Sequence, residues 1–443
     1  MRRFTLIGSG LAGGLLAAYL GKRGYEVDLF ERRPDPRAGN FVGGRSINLA
    51  LSTRGIHALE QLGLADEVLK HAIPMRGRMI HDRSGSLHFA PYDRDPAMHI
   101  NSIGRAALNT VTIEAAQRFP SVRVRFNHRC TDVDLESGAA RVINDLTNET
   151  TEVDSDVTIG VDGAFSAVRR AMQRLDRFDF SQSYLAHGYK ELTIPPAGDG
   201  GWQMERNALH IWPRRSFMMI ALPNPDGSFT CTLFYPFDGP TGFAAMRSDD
   251  DIRRLFDDQF PDAVPLMPTL LDDFRGNPTG SLVTIRCAPW YHRDRVALVG
   301  DAAHAVVPFY GQGMNAAFED CFVLDQCLAE HRGDPGRAFA DYFARRKANT
   351  DALADLAVQN FIEMRDKTAS RRFRARKRLD HALEALFPGI YLPLYRMVTF
   401  SRIPYAQAQR RARLQDRIVY SVLGMAVTAI VAAGAWAAFS TIR

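Results

Sequence analysis

Residues 4–13 read FTLIGSGLAG, an apolar run that leads directly into a Gly-x-Gly-x-x-Gly motif. The pattern predicts a strand, a tight turn and a helix whose N-terminus presents free N–H groups to a phosphate. Gly8 permits the turn, Gly10 lets the backbone approach a pyrophosphate, and Gly13 lets the helix pack on the strand. Glu31 follows the second predicted strand, where an acidic side chain can bind a ribose hydroxyl. The segment therefore predicts a dinucleotide-binding fold.

A second segment, VALVGDAAH at residues 296–304, indicates which dinucleotide is bound. Its strand ends at Asp301, which places a carboxylate at the carboxyl edge of a sheet, within reach of the ribityl chain of a flavin. VPFYGQGMN at residues 307–315 then brings two glycines to the start of a predicted helix over 316–329. The positive end of that helix suits the anionic edge of a reduced flavin. His304 lies near Asp301, but a lone histidine at a strand end is more often structural than a base.

A third motif, VDGAFSAVR at residues 161–169, completes a set that in this order resembles the FAD-binding aromatic hydroxylases, the single-component class A flavin monooxygenases. The resemblance implies that NADPH reduces FAD, that dioxygen adds to give a 4a-hydroperoxyflavin, and that its distal oxygen is transferred to an aromatic ring. A second nucleotide fingerprint is absent from the sequence, which fits a family in which NADPH binds transiently. The motifs and the resemblance together predict these FAD contacts: Gly8, Gly10, Leu11, Gly13, Glu31, Arg32, Arg45, Ala50, Arg105, Asp162, Gly300, Asp301, Gly313, Met314 and Asn315.

The pattern of elements predicts an α/β fold with a discontinuous Rossmann-like FAD-binding domain over 1–180 and 281–335. Short alternating runs over 181–280, joined in one place by the turn signal Asn224-Pro225-Asp226-Gly227, predict an antiparallel substrate-domain sheet to which 78–100 contribute. Residues 336–417 are predicted to be mostly helical.

The last segment, residues 418–442, has no charged residue and is long enough for a membrane helix. Four arginines lie just before it, at 410, 411, 413 and 417, so the positive-inside rule predicts a C-terminal transmembrane helix with the catalytic body on the cytoplasmic side. The alternative is a buried C-terminal core helix. Because the first strand begins within four residues of Met1, we expect no signal or transit peptide.

Composition restricts the remaining classes of function. The chain has 443 residues and a net charge of +5, and much of the excess lies in RRFRARKR at residues 371–378. Such a run fits a solvated helix face or a surface that faces phospholipid, and it fits nucleic acid least because no recognition motif accompanies it. The five cysteines form no Cys-x-x-Cys pair, so we expect reduced core thiols and no metal site.

Five further segments, at residues 44–52, 75–79, 187–192, 207–213 and 397–402, resemble the kynurenine-hydroxylating members of this family. The similarity runs from about residue 3 to 409, and Tyr310 departs from the Phe or His that other members can carry. The hydrophobic tail resembles the membrane anchor of eukaryotic members. The resemblance implies conversion of L-kynurenine to 3-hydroxykynurenine in tryptophan degradation, with FAD as the cofactor and NADPH and O2 as co-substrates.

The same resemblance assigns a substrate site. Arg78 and Tyr92 match the residues that hold the substrate carboxylate, a role suited to a guanidinium and a phenol. Asn360 and Tyr395 match residues from the C-terminal helices that line the same site. An apolar slot around the aniline ring would comprise Leu209, Met218, Ile220, Leu222, Phe234, Pro308, Phe309 and Met364. Each of these residues also has a plain structural alternative, such as surface charge, core packing or helix packing.

The sequence shows no Ser-His-Asp set and no paired acid and base, so the redox chemistry is expected to come from the flavin. An arylamine substrate fits this pattern, because its amine already activates the ortho ring position and no base is needed. Three alternatives remain open at this point. The first is another membrane-tethered flavin monooxygenase, for example an epoxidase acting on an isoprenoid. The others are a flavin-dependent prenyl reductase that consumes no oxygen and a non-enzymatic flavoprotein scaffold held at a membrane.

Overall fold

The computed structural model describes residues 2–38, 48–93, 95–363 and 371–441. Its strands are β1 (Arg3–Ile7), β2 (Glu26–Phe30), β3 (Asn48–Leu51), β4 (Ala72–Met75), β5 (Gly77–His81), β6 (Leu87–Pro91), β7 (Ile100–Gly104), β8 (Val122–Arg125), β9 (His128–Val133), β10 (Ala140–Asn144), β11 (Thr150–Val153), β12 (Val157–Gly160), β13 (Asp179–Ile194), β14 (Ala208–Pro213), β15 (Met218–Pro223), β16 (Phe229–Pro236), β17 (Gly280–Ala288), β18 (Tyr291–His292) and β19 (Val296–Leu298). Its helices are α1 (Leu11–Lys22), α2 (Thr53–Glu60), α3 (Ala65–Leu69), α4 (Arg105–Gln117), α5 (Ala167–Met172), α6 (Asp249–Gln259), α7 (Leu270–Gly276), α8 (Asp301–His304), α9 (Gly313–Glu330), α10 (Pro335–Ile362), α11 (Arg371–Leu386), α12 (Leu394–Thr399) and α13 (Tyr405–Thr441).

A six-stranded sheet carries the glycine-rich segments in the order β18-β19-β12-β1-β2-β8. The pairs β1–β2, β1–β12, β12–β19 and β2–β8 are all parallel. Phe4, Leu6, Leu29 and Ile159 are fully buried, as expected for a parallel sheet covered on both faces. The carboxyl ends of β1, β2, β12 and β19 therefore meet at one edge, and each predicted nucleotide motif begins there.

A seven-stranded sheet has the order β17-β13-β16-β15-β14-β5-β6 and is antiparallel except between β14 and β5. The four runs that predicted strands between Gly188 and Tyr235 lie in β13 to β16, and β5 and β6 extend the sheet. Side chains alternate between the two faces of β15. Met219 and Ala221 pack in the core with helices α6 and α7, whereas Met218 and Leu222 pack in a separate apolar cluster on the other face.

The C-terminal helix does not support the predicted transmembrane span. Within the described ranges, none of the helices combines the length and the apolar character that crossing a membrane requires. The expectation of a membrane helix over 418–442 is therefore wrong. The described part of this segment, which ends at Thr441, prolongs α13. The many alanines of the segment, with glycine, serine and threonine among them, contribute little hydrophobicity per residue. The alternative of a buried helix does not hold either, since Ile418, Val422 and Met425 are exposed.

The basic run at residues 371–378 lies at the start of α11, and only one of its side chains, Arg376, is among those the structure describes. Arg376 pairs with Asp380 at 3.0 Å and also with Asp416 of α13. This arginine therefore joins two helices rather than pointing into solvent alone. All five cysteines are buried and unbridged.

A chain of buried and partly buried hydrogen bonds lies on the α6 side of the seven-stranded sheet. The Asp262 carboxylate accepts from Trp212 Nε1 at 3.0 Å and contacts His81 Nδ1 at 2.6 Å. His81 Nε2 lies 2.8 Å from His210 Nδ1, and His210 Nε2 donates to the carbonyl oxygen of Glu205 at 2.8 Å. Burial lowers the pKa of His210 to about 4, so this imidazole is neutral and its Nδ1 accepts from His81.

This arrangement predicts acid lability. The unfolded chain binds a proton at His210 near pH 6.5, whereas the folded chain resists until about pH 4, so the free energy of unfolding falls as the pH drops through that window. The slope attributable to this group is at most about 1.4 kcal/mol per pH unit. Urea denaturation of His210→Gln should show a shallower pH dependence over the window than the unmodified protein. His71→Gln, at an exposed histidine, is the control, and equal slopes in the two variants would contradict the assignment.

Candidate active site

A cavity of about 760 Å³ lies between the carboxyl edge of the six-stranded sheet and the open face of the seven-stranded sheet. Its walls contain residues from both predicted groups. Of the predicted substrate residues it brings together Arg78, Tyr92, Leu209, Met218, Ile220, Leu222, Phe234, Pro308, Phe309 and Tyr395. Of the predicted FAD contacts it brings together Gly8, Gly10, Leu11, Glu31, Arg32, Ala50, Arg105, Asp162, Asp301, Gly313 and Met314.

Four further predicted residues, Gly13, Gly300, Asn315 and Asn360, are described by the structure but do not line the cavity. Gly13 and Gly300 lie behind the residues that do, and Asn315 supports the wall by donating to the carbonyls of Ala50 and Gly311, both at 2.8 Å. Asn360 donates to the carbonyl of Phe309 at 2.7 Å, so it holds the slot from behind. Arg45 and Met364 lie outside the described residues.

The glycine-rich turn after β1 is built by close backbone approach. Gly8 has φ +104, and a Cβ there would lie 2.7 Å from the Cα of Asp162. A Cβ at Gly13 would lie 1.9 Å from the carbonyl oxygen of Gly8. Gly10 differs, because a Cβ there would meet nothing within 4 Å and its position faces the cavity. Gly10 caps α1 without a side chain, so the first N–H groups of the helix remain directed at the cavity, which fits a pyrophosphate.

Glu31 lies at the end of β2, where the ribose of a dinucleotide would bind. Its carboxylate accepts from the Ser9 N–H at 2.8 Å and from Arg33 Nε at 2.8 Å. Burial alone would raise the pKa of Glu31, but the hydrogen bonds and charge of Arg33 outweigh it and hold the pKa below its ordinary value. The prediction named Arg32, and both arginines line the cavity. Arg33 was missed, although its position two residues after the carboxylate is a usable signal.

The third motif fixes Asp162 beside the turn at Gly8. Asp162 Oδ2 accepts from the N–H of Ala167 at 2.6 Å, while Oδ1 is buried and has no partner among the described residues. Burial raises the pKa of this carboxyl group. Arg169, at the end of the motif, donates to the carbonyl of Ala302 at 2.7 Å. The second and third motifs are thus joined directly, and an unpaired acceptor faces the place where a hydroxyl-rich cofactor would lie.

Asp301 is exposed to the cavity at the start of α8, as predicted for a carboxylate at this sheet edge. Its neighbour Gly300 has φ +63 and donates its N–H to Asp320 Oδ2 at 3.2 Å. Asp320 also pairs with His304, which is buried away from the cavity. His304 therefore supports the loop and is not placed to act as a base.

The Arg78 guanidinium lies beside the rings of two tyrosines. We call this group of three residues (Arg78, Tyr92 and Tyr395) the carboxylate clamp. Its Cζ lies 5.0 Å from the Tyr395 ring centre and 5.7 Å from that of Tyr92. Burial alone would lower the pKa of Arg78. The electrostatic interactions of its guanidinium with Tyr395, Tyr92 and Glu363 outweigh this effect and hold the pKa above its ordinary value. Arg78 Nε and the Tyr92 hydroxyl are buried without a partner among the described residues. Unsatisfied donors of this kind indicate an anionic ligand.

The apolar slot adjoins the clamp. Met218 and Leu222 project from β15, and Phe234 lies opposite Met218 in the β15–β16 ladder. The ring centres of Phe234 and Phe309 are 4.8 Å apart, and those of Phe309 and Phe361 are 4.1 Å apart and stacked. Phe361 was missed by the sequence reasoning, because a helical phenylalanine has no distinguishing pattern. Tyr310 stacks on Tyr395 at 5.8 Å between ring centres and lines the cavity.

This architecture and site define a class of protein. The chain matches the FAD binding domain family over residues 4–188 and 280–357, so the prediction of FAD as the cofactor is confirmed. Solved structures with the same fold include 2-methyl-3-hydroxypyridine-5-carboxylic acid oxygenase, with a TM-score of 0.67 and 23% identity over 87% of this chain and 96% of that one. Another is a p-nitrophenol 4-monooxygenase from Pseudomonas putida, with a TM-score of 0.66 and 19% identity over 86% and 94%. The α/β architecture is that of the FAD-dependent aromatic hydroxylases.

Relatives with higher sequence identity identify the family within this class. A kynurenine 3-monooxygenase from Myxococcus xanthus is 51% identical over 94% of this chain and 89% of the relative. One from Dictyostelium discoideum is 46% identical over 94% of this chain and 92% of the relative. The chain belongs to the kynurenine 3-monooxygenase family, as its sequence motifs predicted.

The geometry at Gly10 allows cofactor binding to be separated from folding. Gly10→Ala should leave the fold intact, because the added Cβ meets no protein atom, but it should obstruct the close approach of the pyrophosphate. We expect the purified variant to retain less FAD, as measured by its visible absorbance relative to protein, with unchanged thermal unfolding of the flavin-free form.

Gly276→Ala is the matched control, since a Cβ there also meets nothing and the residue does not line the cavity. Equal flavin content in the two variants would show that the pyrophosphate does not lie against Gly10.

Proposed function

We propose that this chain is an NADPH-consuming monooxygenase that hydroxylates L-kynurenine to 3-hydroxykynurenine. In the balanced reaction, NADPH, a proton and O2 yield NADP+, water and one oxygen atom inserted into the aromatic C–H bond. Bound FAD would supply hydride acceptance and activation of dioxygen. The observation that carries the proposal is the carboxylate clamp, with its unpartnered Arg78 Nε and Tyr92 hydroxyl, beside an apolar slot.

The FAD would be held by the residues at the strand ends. The N-terminus of α1 would bind the pyrophosphate, Glu31 the adenosine ribose, and Asp301 the ribityl chain. The start of α9, at Gly313, also lacks a side-chain cap and would face the pyrimidine edge of the flavin, where the positive helix end stabilises negative charge.

The substrate would be oriented by two kinds of contact. Arg78 and Tyr92 would hold its carboxylate, and the slot side chains of Leu209, Met218 and Phe234 would pack against its ring. These slot residues have no titratable group, so they exclude water without moving a proton. No base is needed to activate the ring for oxygen transfer, because the ring amine itself activates the ortho carbon. The charged end and the aromatic end of kynurenine thus match the two parts of the site.

Substitution of Arg78 tests the carboxylate assignment. Arg78→Ala should raise the KM for L-kynurenine steeply, because truncating one partner of a buried charge pair costs about 2–5 kcal/mol, or roughly 30-fold or more. The measurement is kynurenine-dependent NADPH oxidation, with Arg76→Ala at an exposed neighbouring arginine as control.

A substrate that lacks the carboxylate sharpens the test. Kynurenamine, the decarboxylated analogue, should be a poor substrate of the unmodified protein, and Arg78→Ala should lower its turnover no further. Arg78 does not bind the carboxylate if Arg78→Ala leaves the KM for L-kynurenine unchanged. The same conclusion follows if the substitution raises the KM for L-kynurenine and the KM for kynurenamine equally.

A further inference from the structure

The two tyrosines of the carboxylate clamp come from distant parts of the chain. Tyr92 follows strand β6, and Tyr395 lies in helix α12. Their rings stack at 5.3 Å with an angle of 16° between the planes. The position of the Arg78 guanidinium therefore depends on how firmly the β6 segment is held against α12.

The residue that follows each tyrosine joins these segments. Arg396 Nε lies 3.5 Å from Asp93 Oδ2, and the Asp93 side chain is only 9% exposed. The other carboxylate oxygen of Asp93 accepts from the N–H of Asp95 at 3.0 Å, which fixes the turn after β6. Arg396 also donates through Nη1 to the carboxylate of Glu384 in α11. One guanidinium thus joins three segments around the clamp, and neither Asp93 nor Arg396 lines the cavity.

We propose that the Asp93–Arg396 pair is a positioning latch that sets the spacing of Tyr92 and Tyr395 and thereby the affinity of the clamp for the substrate carboxylate. The inference rests on the proposed function and adds to it two residues that do not touch the substrate. Arg396 is about one-third exposed, and partly exposed pairs contribute little to global stability. Loss of the pair is therefore expected to alter recognition of the carboxylate more than folding.

A double-mutant cycle tests the latch. Arg396→Ala and Asp93→Asn should each raise the KM for L-kynurenine about 3- to 10-fold with kcat changed less than twofold, and the double variant should be no worse than the poorer single one. Arg396→Lys, which can still reach one carboxylate, should recover part of the loss. The KM for kynurenamine, which has no carboxylate, should be the same in the variants as in the unmodified protein. A general loss of structure would instead raise the KM for both compounds. Arg118→Ala, which breaks the exposed pair with Glu67, is the control.

Additive effects in the cycle, an unchanged KM for L-kynurenine, or an equal rise for kynurenamine would each overturn the proposal. A crystal structure of Arg396→Ala gives a readout that needs no substrate. The latch predicts that the Tyr92 and Tyr395 rings separate beyond 5.3 Å, and an unchanged stack would contradict it. If the unmodified protein showed no kynurenine-stimulated NADPH oxidation, the proposed function would fail, and this structural test would still decide the latch.

Discussion

The site depends on one close backbone approach, between Gly8 at the end of β1 and the Val161-Asp162 peptide at the end of β12. A Cβ at Gly8 would lie 2.7 Å from both the Val161 carbonyl oxygen and the Asp162 Cα, so only glycine fits this position. Gly13 in turn packs on the Gly8 carbonyl, which sets the start of α1. With Arg169 bonded to the Ala302 carbonyl, the three motifs form one continuous wall. That wall carries Gly10, Asp162 and Asp301, which all line the cavity.

The cavity divides into two chemical environments, and the division explains how one fold could serve both ligands. At the strand ends, carboxylates and free N–H groups face the space, which suits a polar, hydroxyl-rich dinucleotide. On the seven-stranded sheet, apolar side chains from β14, β15 and β16 form an apolar slot beside the Arg78 guanidinium. A charge desolvated in this way binds a carboxylate more strongly than a surface arginine would, because water competes less. The geometry thus favours a flat aromatic substrate with an anionic tail.

Local patterns predicted most of the fold. The glycine motif, the alternating runs of β13 to β16 and the turn at Asn224 to Gly227 are short-range signals, and each is found where the sequence placed it. Contacts between distant segments were not predictable in this way. The contribution of Phe361 to the slot and the Asp93–Arg396 pair both depend on the assembled tertiary structure. Arg33 is different, because it lies only two residues after Glu31 and was missed although the signal is local. The membrane helix was predicted wrongly because the absence of charge over 418–442 was given more weight than the low hydrophobicity of alanine.

The proposed hydroxylation is tested most directly by measuring whether an oxygen atom of dioxygen is found in the product. The purified flavoprotein would be supplied with NADPH, L-kynurenine and isotopically heavy dioxygen, and the product would be analysed by mass spectrometry alongside NADPH consumption. If the site hydroxylates L-kynurenine, we expect that kynurenine stimulates NADPH oxidation and that the product carries one heavy oxygen atom on its ring. NADPH oxidation without that atom in the product would show that kynurenine only uncouples the flavin, and would contradict the assignment of this site to hydroxylation.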